Sequence, residues 1–209
     1  MTMISHRHRC IFIAVPKSAS HSIRFALRPH LDATDEEQVA LFLQRRIKRP
    51  VFDRMGHGHQ TAAEVRESIG QALWESYFSF AVIRNPWARF VSYVAFMKRH
   101  GEFAMDPIGS MRRVLANPER QSHPHFRPQS DFLVDSTGQL LVNDICRAES
   151  LQTDFDRVMQ RLGLPPTELE LRNSSAHEHY STYYDEALRK AVEERYRDDI
   201  ERFGYRFGD

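Results

Sequence analysis

The stretch that most constrains this chain is residues 10–23, C-I-F-I-A-V-P-K-S-A-S-H-S-I. Its continuous apolar run, Ile11 to Val15, has the length of a strand buried on both faces. Pro16 and Lys17 come next, then Ser18, Ala19, Ser20, His21 and Ser22, and an apolar-periodic segment opens at Ile23. A strand, a tight polar loop and a helix start form a cradle suited to an anion, because N–H groups at a helix N-terminus point at the ligand and the macrodipole is positive there. Lys17 would add a mobile cation and the hydroxyls further donors. An ordinary strand–loop–helix connection with a solvated lysine has the same outline. The loop is not a Walker A motif, since the spacing G-x-x-x-x-G-K-[ST] is absent.

A second stretch repeats the pattern. Residues 78–97 read F-S-F-A-V-I-R-N-P-W-A-R-F-V-S-Y-V-A-F-M: a buried-strand run to Ile83, a polar turn, and an apolar-periodic helix. Pro86 is well placed near the helix start, where no N–H is needed from it. Arg84 stands at the carboxyl end of the strand, and Ser92 lies two helical turns beyond Asn85. Two strands ending in anion-suited groups, in an alternating β/α chain, predict an α/β fold with one crevice at the carboxyl edge of a parallel sheet.

Together these residues resemble a known family. V-P-K-S-A-S-H-S-I is similar to the 5′-phosphosulfate loop of sulfotransferases that use PAPS (3′-phosphoadenosine 5′-phosphosulfate), commonly close to I-P-K-T-A-G-T-S. R-N-P-W-A-R-F-V-S resembles their 3′-phosphate motif, R-N-P-x-x-R-x-x-S. The likeness continues through H-Q-T-A-A-E-V-R near residue 60, R-P-Q-S-D-F-L near 130 and the terminal D-I-E-R-F-G-Y-R-F. It is closest to the carbohydrate-type branch, the family 2-like members that include small bacterial proteins. The resemblance implies a P-loop-like three-layer fold, with a central, mostly parallel sheet flanked by helices. It implies PAPS as donor and PAP (3′-phosphoadenosine 5′-phosphate) as product, with no metal required. Lys17, Ser18, Ala19, Ser20, His21 and Ser22 would hold the 5′-phosphosulfate, and Arg84 and Ser92 the 3′-phosphate.

Two positions depart from the family loop. Ser20 stands where glycine is usual, so a Cβ opposes close backbone approach. His21 replaces a threonine hydroxyl. Either change bears on how well the donor binds, and on whether the chain is an active enzyme.

The histidines need separate treatment. Gly56-His57-Gly58-His59 precedes Thr61-x-x-Glu64, a capping-box pattern that opens a helix through about Ile69. Spacing alone reads His59 as a residue just ahead of a helix that caps it or faces water. The resemblance instead implies a base that deprotonates the acceptor hydroxyl, His59 foremost, with His57 as helper. Four His-x-His pairs, 6/8, 57/59, 123/125 and 177/179, raise metal binding as a different class. They lie in loops without a cysteine or a further i+4 histidine. A P-loop small-molecule kinase would need the missing Walker A motif. A non-catalytic module would bind PAP without transferring anything.

At 209 residues the chain is expected to be one domain, 1–209, long enough to bury a core. A net charge of +1 gives no global field for nucleic acid or an acidic membrane, so attraction for a polyanionic donor must be local. Cys10 and Cys146 read as buried thiols, not a disulfide framework. The early apolar run over 10–15 is too short for a signal-peptide core or a membrane span, and the chain is read as soluble and cytoplasmic.

Further expectations follow from local pattern. Residues 1–9 read as a frayed lead-in, 32–49 as an amphipathic helix ended by Pro50, and 51–55 as a short strand. Residues 73–77 lead into the second strand. Residues 100–128, rich in Gly and Pro, read as a substrate-facing lid or an irregular excursion. A hairpin is predicted over 129–144, with its turn at 135–138, then a short strand at 145–147. Helices are predicted from Thr153 to Gly163, and from Thr182 to Gly204. Asn173 and Ser174 would approach the cofactor by resemblance, or simply cap a loop. Arg89 would pair with an acid or support a phosphate. The acceptor, a carbohydrate or other small molecule, is not legible, nor is the oligomeric state.

Overall fold

The computed structural model describes residues 2–38, 59–97, 101–121, 123–170 and 178–209. Two compact units are present, Met1–Ile83 with Asp131–Arg172, and Arg84–Ser130 with Asn173–Asp209.

The first unit is organised by its two apolar runs. Cys10–Ile13 forms β2 and Phe78–Ile83 forms β4, paired in parallel from Cys10 opposite Phe78 to Ile13 opposite Ala81. β5 (Asp144–Arg147) adds in parallel on the far side of β4. β1 (Met3–Ser5) runs antiparallel to β2, and β3 (Glu36–Glu37) antiparallel to β1, giving the order β3-β1-β2-β4-β5. Four of these five strands therefore point the same way. The result is a mixed α/β fold, with a mostly parallel five-stranded sheet flanked by helices.

Alternation along the strands sends side chains to both faces. On one face Met3, Cys10, Phe12, Phe80, Val82 and Cys146 meet α1 (Ser20–Leu27) through Ile23, Ala26 and Leu27. The same cluster takes Leu151, Phe155, Val158 and Met159 from a helix over Leu151–Arg161. On the other face Ile4, Ile11, Ile13, Ala81 and Ile83 are equally buried. Each buried Ile, Leu, Val, Phe or Met side chain among them contributes about 1.5–3 kcal/mol on leaving water. Both cysteines are free and buried, and burial pushes each thiol up to about 12.

Several sequence expectations are met. α2 (Ala62–Ile69) begins at Thr61 with the full capping box: Glu64 N–H donates to Thr61 Oγ1 at 3.1 Å and Thr61 N–H to Glu64 Oε2 at 2.7 Å. β5 covers the short strand expected over 145–147. The hairpin is reduced to one bridge, Val134 with Leu140, closed by Asp135 N–H on the Gln139 carbonyl at 2.9 Å.

Others are corrected. Residues 1–9 are not a frayed lead-in, because Met3–Ser5 is a buried central strand of the sheet. Residues 32–38 do not begin a helix: Glu36 and Glu37 pair with β1 and are buried, Glu36 against the His6 imidazole and Glu37 against Arg24. The remainder of that predicted helix and the strand at 51–55 lie outside the described residues. Residues 71–76 form a helix, α3 (Gln71–Ser76).

The second unit carries α4 (Pro86–Met97), which starts at Pro86 as read from the sequence. The described part of the Gly- and Pro-rich span is largely helical and so is not an irregular excursion throughout. It forms three short helices, α5 (Glu102–Met105), α6 (Pro107–Leu115) and α7 (Pro118–Gln121). The Leu151–Arg161 helix of the first unit, α8, starts two residues before Thr153. The last predicted helix is two. α9 (Glu186–Arg195) is capped by Asp185, whose carboxylate accepts from Leu188 N–H at 2.8 Å. The chain leaves helical geometry at Tyr196 and resumes in α10 (Arg197–Phe203), which ends at a left-handed Gly204 as expected. α4 packs on α9, with Trp87 Nε1–H donating to the Arg189 carbonyl at 3.2 Å. Phe90, Phe126 and Tyr196 form the aromatic centre of this unit.

Candidate functional site

Parallel pairing of β2 and β4 means that the chain leaves both strands at the same edge of the sheet. After β2, Ala14 and Val15 stay fully buried, and the backbone then turns sharply. Lys17 has φ 66° and Ala19 φ 63°, both left-handed although neither is glycine. Such a residue costs about 1–2 kcal/mol and persists only where its surroundings impose it. Here Ser18 Oγ and Ser20 Oγ both donate to the Val15 carbonyl, at 2.9 and 2.7 Å. Ser22 Oγ donates to the Glu170 carbonyl at 2.8 Å. All three serines are buried.

This arrangement changes what the loop offers. The serine hydroxyls give their single hydrogens to carbonyls, so the donors left to the loop are main-chain N–H groups. Left-handed residues alternating with other conformations turn such N–H groups into a concavity that suits an anion. α1 begins directly after it, with Ala19 as N-cap, a residue with no side-chain acceptor to cover the first turn. The local field is positive. His21 is exposed, and its pKa is lowered, first by its own partial burial and then by Arg24, Lys17, the amino terminus and Arg28.

His59 sits against the same strand end. Its Nδ1 is 2.8 Å from the Ala14 carbonyl oxygen. A carbonyl only accepts, so Nδ1 carries the hydrogen, and the neutral ring keeps its lone pair on Nε2. The capping box of α2, two residues on, fixes the backbone from which the imidazole projects. His57 lies outside the described residues, as do Asn173 and Ser174.

In the second unit, Arg84 is half-buried and immediately follows β4. Gln129 holds its main chain from both sides: Arg84 N–H donates to Gln129 Oε1 and Gln129 Nε2–H to the Arg84 carbonyl, each at 2.8 Å. Asn85, fully buried, accepts from Trp87 N–H at 3.1 Å and donates to the Arg206 carbonyl at 3.0 Å. Ser92 is half-buried on α4. Arg89 has a different place from the one expected of it. It is buried, donates to the carbonyls of His125 and Arg127 at 3.3 and 2.9 Å, and lies over the Tyr196 ring. It is a core residue of this unit.

Two histidine pairs can be placed. His6 faces Tyr77 Oη at 2.8 Å and Glu36 at 3.0 Å, while His8 donates to the His30 carbonyl at 3.0 Å, so the two serve different partners. His123 Nδ1 accepts from His125 N–H at 3.3 Å. Among the described residues no three His, Cys, Asp or Glu side chains gather as a metal site would need. No helix among them is long and apolar enough to cross a membrane.

Compared with known proteins, the chain matches the sulfotransferase family over residues 1–206. The chain belongs to that family. Sulfuryl transfer in general is the reaction this membership supports, and the strand–loop–helix around Lys17 lies inside the matched span. A similar protein, described as uncharacterized, comes from Archaeoglobus fulgidus: it is 31% identical over 117 residues, covering 56% of this chain and 92% of that protein. No solved structure matches this sulfotransferase. Sequence reasoning gave no role to Gln129 or the buried Asp199, although both lie in the family-like stretches R-P-Q-S-D-F-L and D-I-E-R-F-G-Y-R-F, because no spacing rule links them to Arg84.

Proposed function

We propose that this sulfotransferase moves the sulfuryl group of PAPS to a hydroxyl of a carbohydrate or other small-molecule acceptor, with His59 as general base. The observation that carries the reading is the strained turn after β2, left-handed at Lys17 and Ala19, with an imidazole anchored on Ala14 at the same strand end. Backbone strain of this kind, in a loop that opens a helix amid cations, supports an anion-binding role.

PAPS supplies an activated sulfuryl group joined to a phosphate leaving group. In the transfer a bond forms from the acceptor oxygen to sulfur as the sulfur–bridging-oxygen bond breaks. His59 takes the hydroxyl proton on Nε2, and Lys17 meets the negative charge gathering on the departing phosphate oxygen. The N–H groups of residues 18–21 hold the 5′-phosphosulfate, that of Ser22 being given to the Ala19 carbonyl at 3.0 Å. Arg84 and Ser92 are assigned to the 3′-phosphate, the group that distinguishes PAPS from ATP. Positioning and charge stabilisation do most of the catalysis, as in phosphoryl transfer.

The test is a transfer assay with sulfur-labelled PAPS across acceptor classes, together with thermal shift by PAP and ATP. PAP should stabilise the protein and ATP should not. Lys17→Ala and His59→Ala should each lower kcat by about 10²–10⁴-fold with the fold intact. Near-normal kcat in Lys17→Ala would refute the leaving-group role. PAP binding without transfer to any acceptor, and unaltered by His59→Ala, would make the protein a binding module.

A further inference from the structure

We infer that Gln129, itself fixed by Asp199, is the positioning residue that sets Arg84 for the donor's 3′-phosphate; this rests on the reading of Arg84 proposed above. The geometry is a chain of hydrogen bonds within one unit. Asp199 is fully buried on α10, and its two carboxylate oxygens accept from Gln129 N–H and Ser130 N–H, each at 2.8 Å. Gln129, also fully buried, then gives Arg84 one donor and one acceptor at 2.8 Å. That is the pattern a neighbouring strand would supply, delivered by one side chain where β4 has ended. Asn85, tied to the Arg206 carbonyl and to the first turn of α4, locks the next residue.

The consequence is specific. A long cation binds a phosphate with orientation only if its main chain is held, because otherwise the ordering cost falls on the bound state. The buried Asp199 carboxylate is desolvated, and the two main-chain N–H groups it satisfies offset that cost and fix the backbone at Gln129. A primary amide is required here because one group must donate to and accept from the same residue. Gln129 therefore acts through Arg84 and touches no substrate itself.

The experiment measures affinity for PAP and for AMP, which lacks the 3′-phosphate, in wild type, Arg84→Ala, Gln129→Met and the double variant. Wild type should prefer PAP. Gln129→Met should reduce that preference by roughly tenfold, the scale of coupling between contacting residues. In the Arg84→Ala background it should change nothing further. Asp199→Asn, which keeps shape, should give a smaller loss in the same direction and serves if Gln129→Met fails to fold. A wild-type PAP-to-AMP ratio in folded Gln129→Met, or an undiminished effect of that change without Arg84, would overturn the inference while leaving the proposed function standing. Equal binding of PAP and AMP by wild type would overturn both.

Discussion

Glu37 is the residue whose loss should hurt this fold most for its size. It lies on the two-residue strand β3, and its carboxylate accepts from two arginines four residues apart, Arg24 on α1 and Arg28 just past its end. Arg24 reaches it through Nε at 2.8 Å and through a guanidinium NH2, and Arg28 through Nε at 2.9 Å. The Arg24 side chain is only 1% exposed and that of Glu37 8%. Burial lowers the Arg24 pKa, and the Glu37 carboxylate is the main opposing influence. Glu37→Ala would leave a buried guanidinium without its counter-ion, a loss of about 3–5 kcal/mol. Against a total stability of about 5–15 kcal/mol, at roughly 2–4 °C per kcal/mol for a chain of this length, the midpoint should fall by about 6–20 °C. Because α1 also carries the Lys17–Ala19 turn at its start, PAP should restore part of the loss by mass action. Thermal and urea denaturation followed by far-UV circular dichroism measures the change, and Arg24→Met/Glu37→Met should recover most of it. A loss below about 1 kcal/mol, the scale of exposed ion pairs, would refute the claim that this pair is buried and essential.

Two other predictions concern the loop itself. Ala19→Gly should leave the protein about 0–1.5 kcal/mol more stable: relief of a left-handed alanine is worth about 1–2 kcal/mol and the added chain entropy costs about 0.5–1. Its PAP affinity should hold, since the N–H groups remain, and clear destabilisation in a denaturant titration would contradict the strain argument. For His21 the folded pKa lies below the ordinary 6.5, so the unfolded chain binds more protons in the window beneath that value. Its contribution to stability is complete above about pH 6.5 and is lost as pH falls through the folded pKa. An anion on the loop should raise that pKa, so PAP binding near pH 6 should take up a proton and tighten as pH falls. Calorimetry in two buffers of different ionisation enthalpy reads the uptake, with His21→Asn as control, and zero uptake by the wild type would reject the coupling.

What could be read in the sequence was what local chemistry decides. The run Phe78–Ile83 and the helix opened by Pro86 carry their own signals, as does the capping box at Thr61. Met3–Ser5 is too short to show a period, and becomes a strand only because β2 and β3 lie on either side of it. Glu36 and Glu37 read as helix surface, since nothing in their neighbourhood announces that His6, Arg24 and Arg28 will bury them. Between residues 101 and 128 the prolines were taken for breakers. Pro107 and Pro118 instead stand at the first position of α6 and α7, where a missing N–H costs nothing and a fixed φ helps. Gln129 and Arg84 are 45 positions apart, beyond any spacing argument.

The donor loop shows why its departures from the family pattern weigh differently from how they read as letters. Ser20 in place of glycine reads as the expensive change, because a Cβ there opposes close backbone approach. The left-handed residues are Lys17 and Ala19, whereas Ser20 is the first residue of α1 and has no positive φ. Its hydroxyl reinforces the turn by donating to the Val15 carbonyl, so the substitution adds a tie and imposes no strain on the main chain. The change that remains is His21. A threonine there would bring a neutral hydroxyl, whereas a histidine brings a ring whose pKa is lowered, first by its partial burial and then by Arg24, Lys17 and Arg28. If the loop holds the donor as proposed, that exchange would replace a fixed donor by one whose charge depends on occupancy, and donor affinity is then expected to vary with pH.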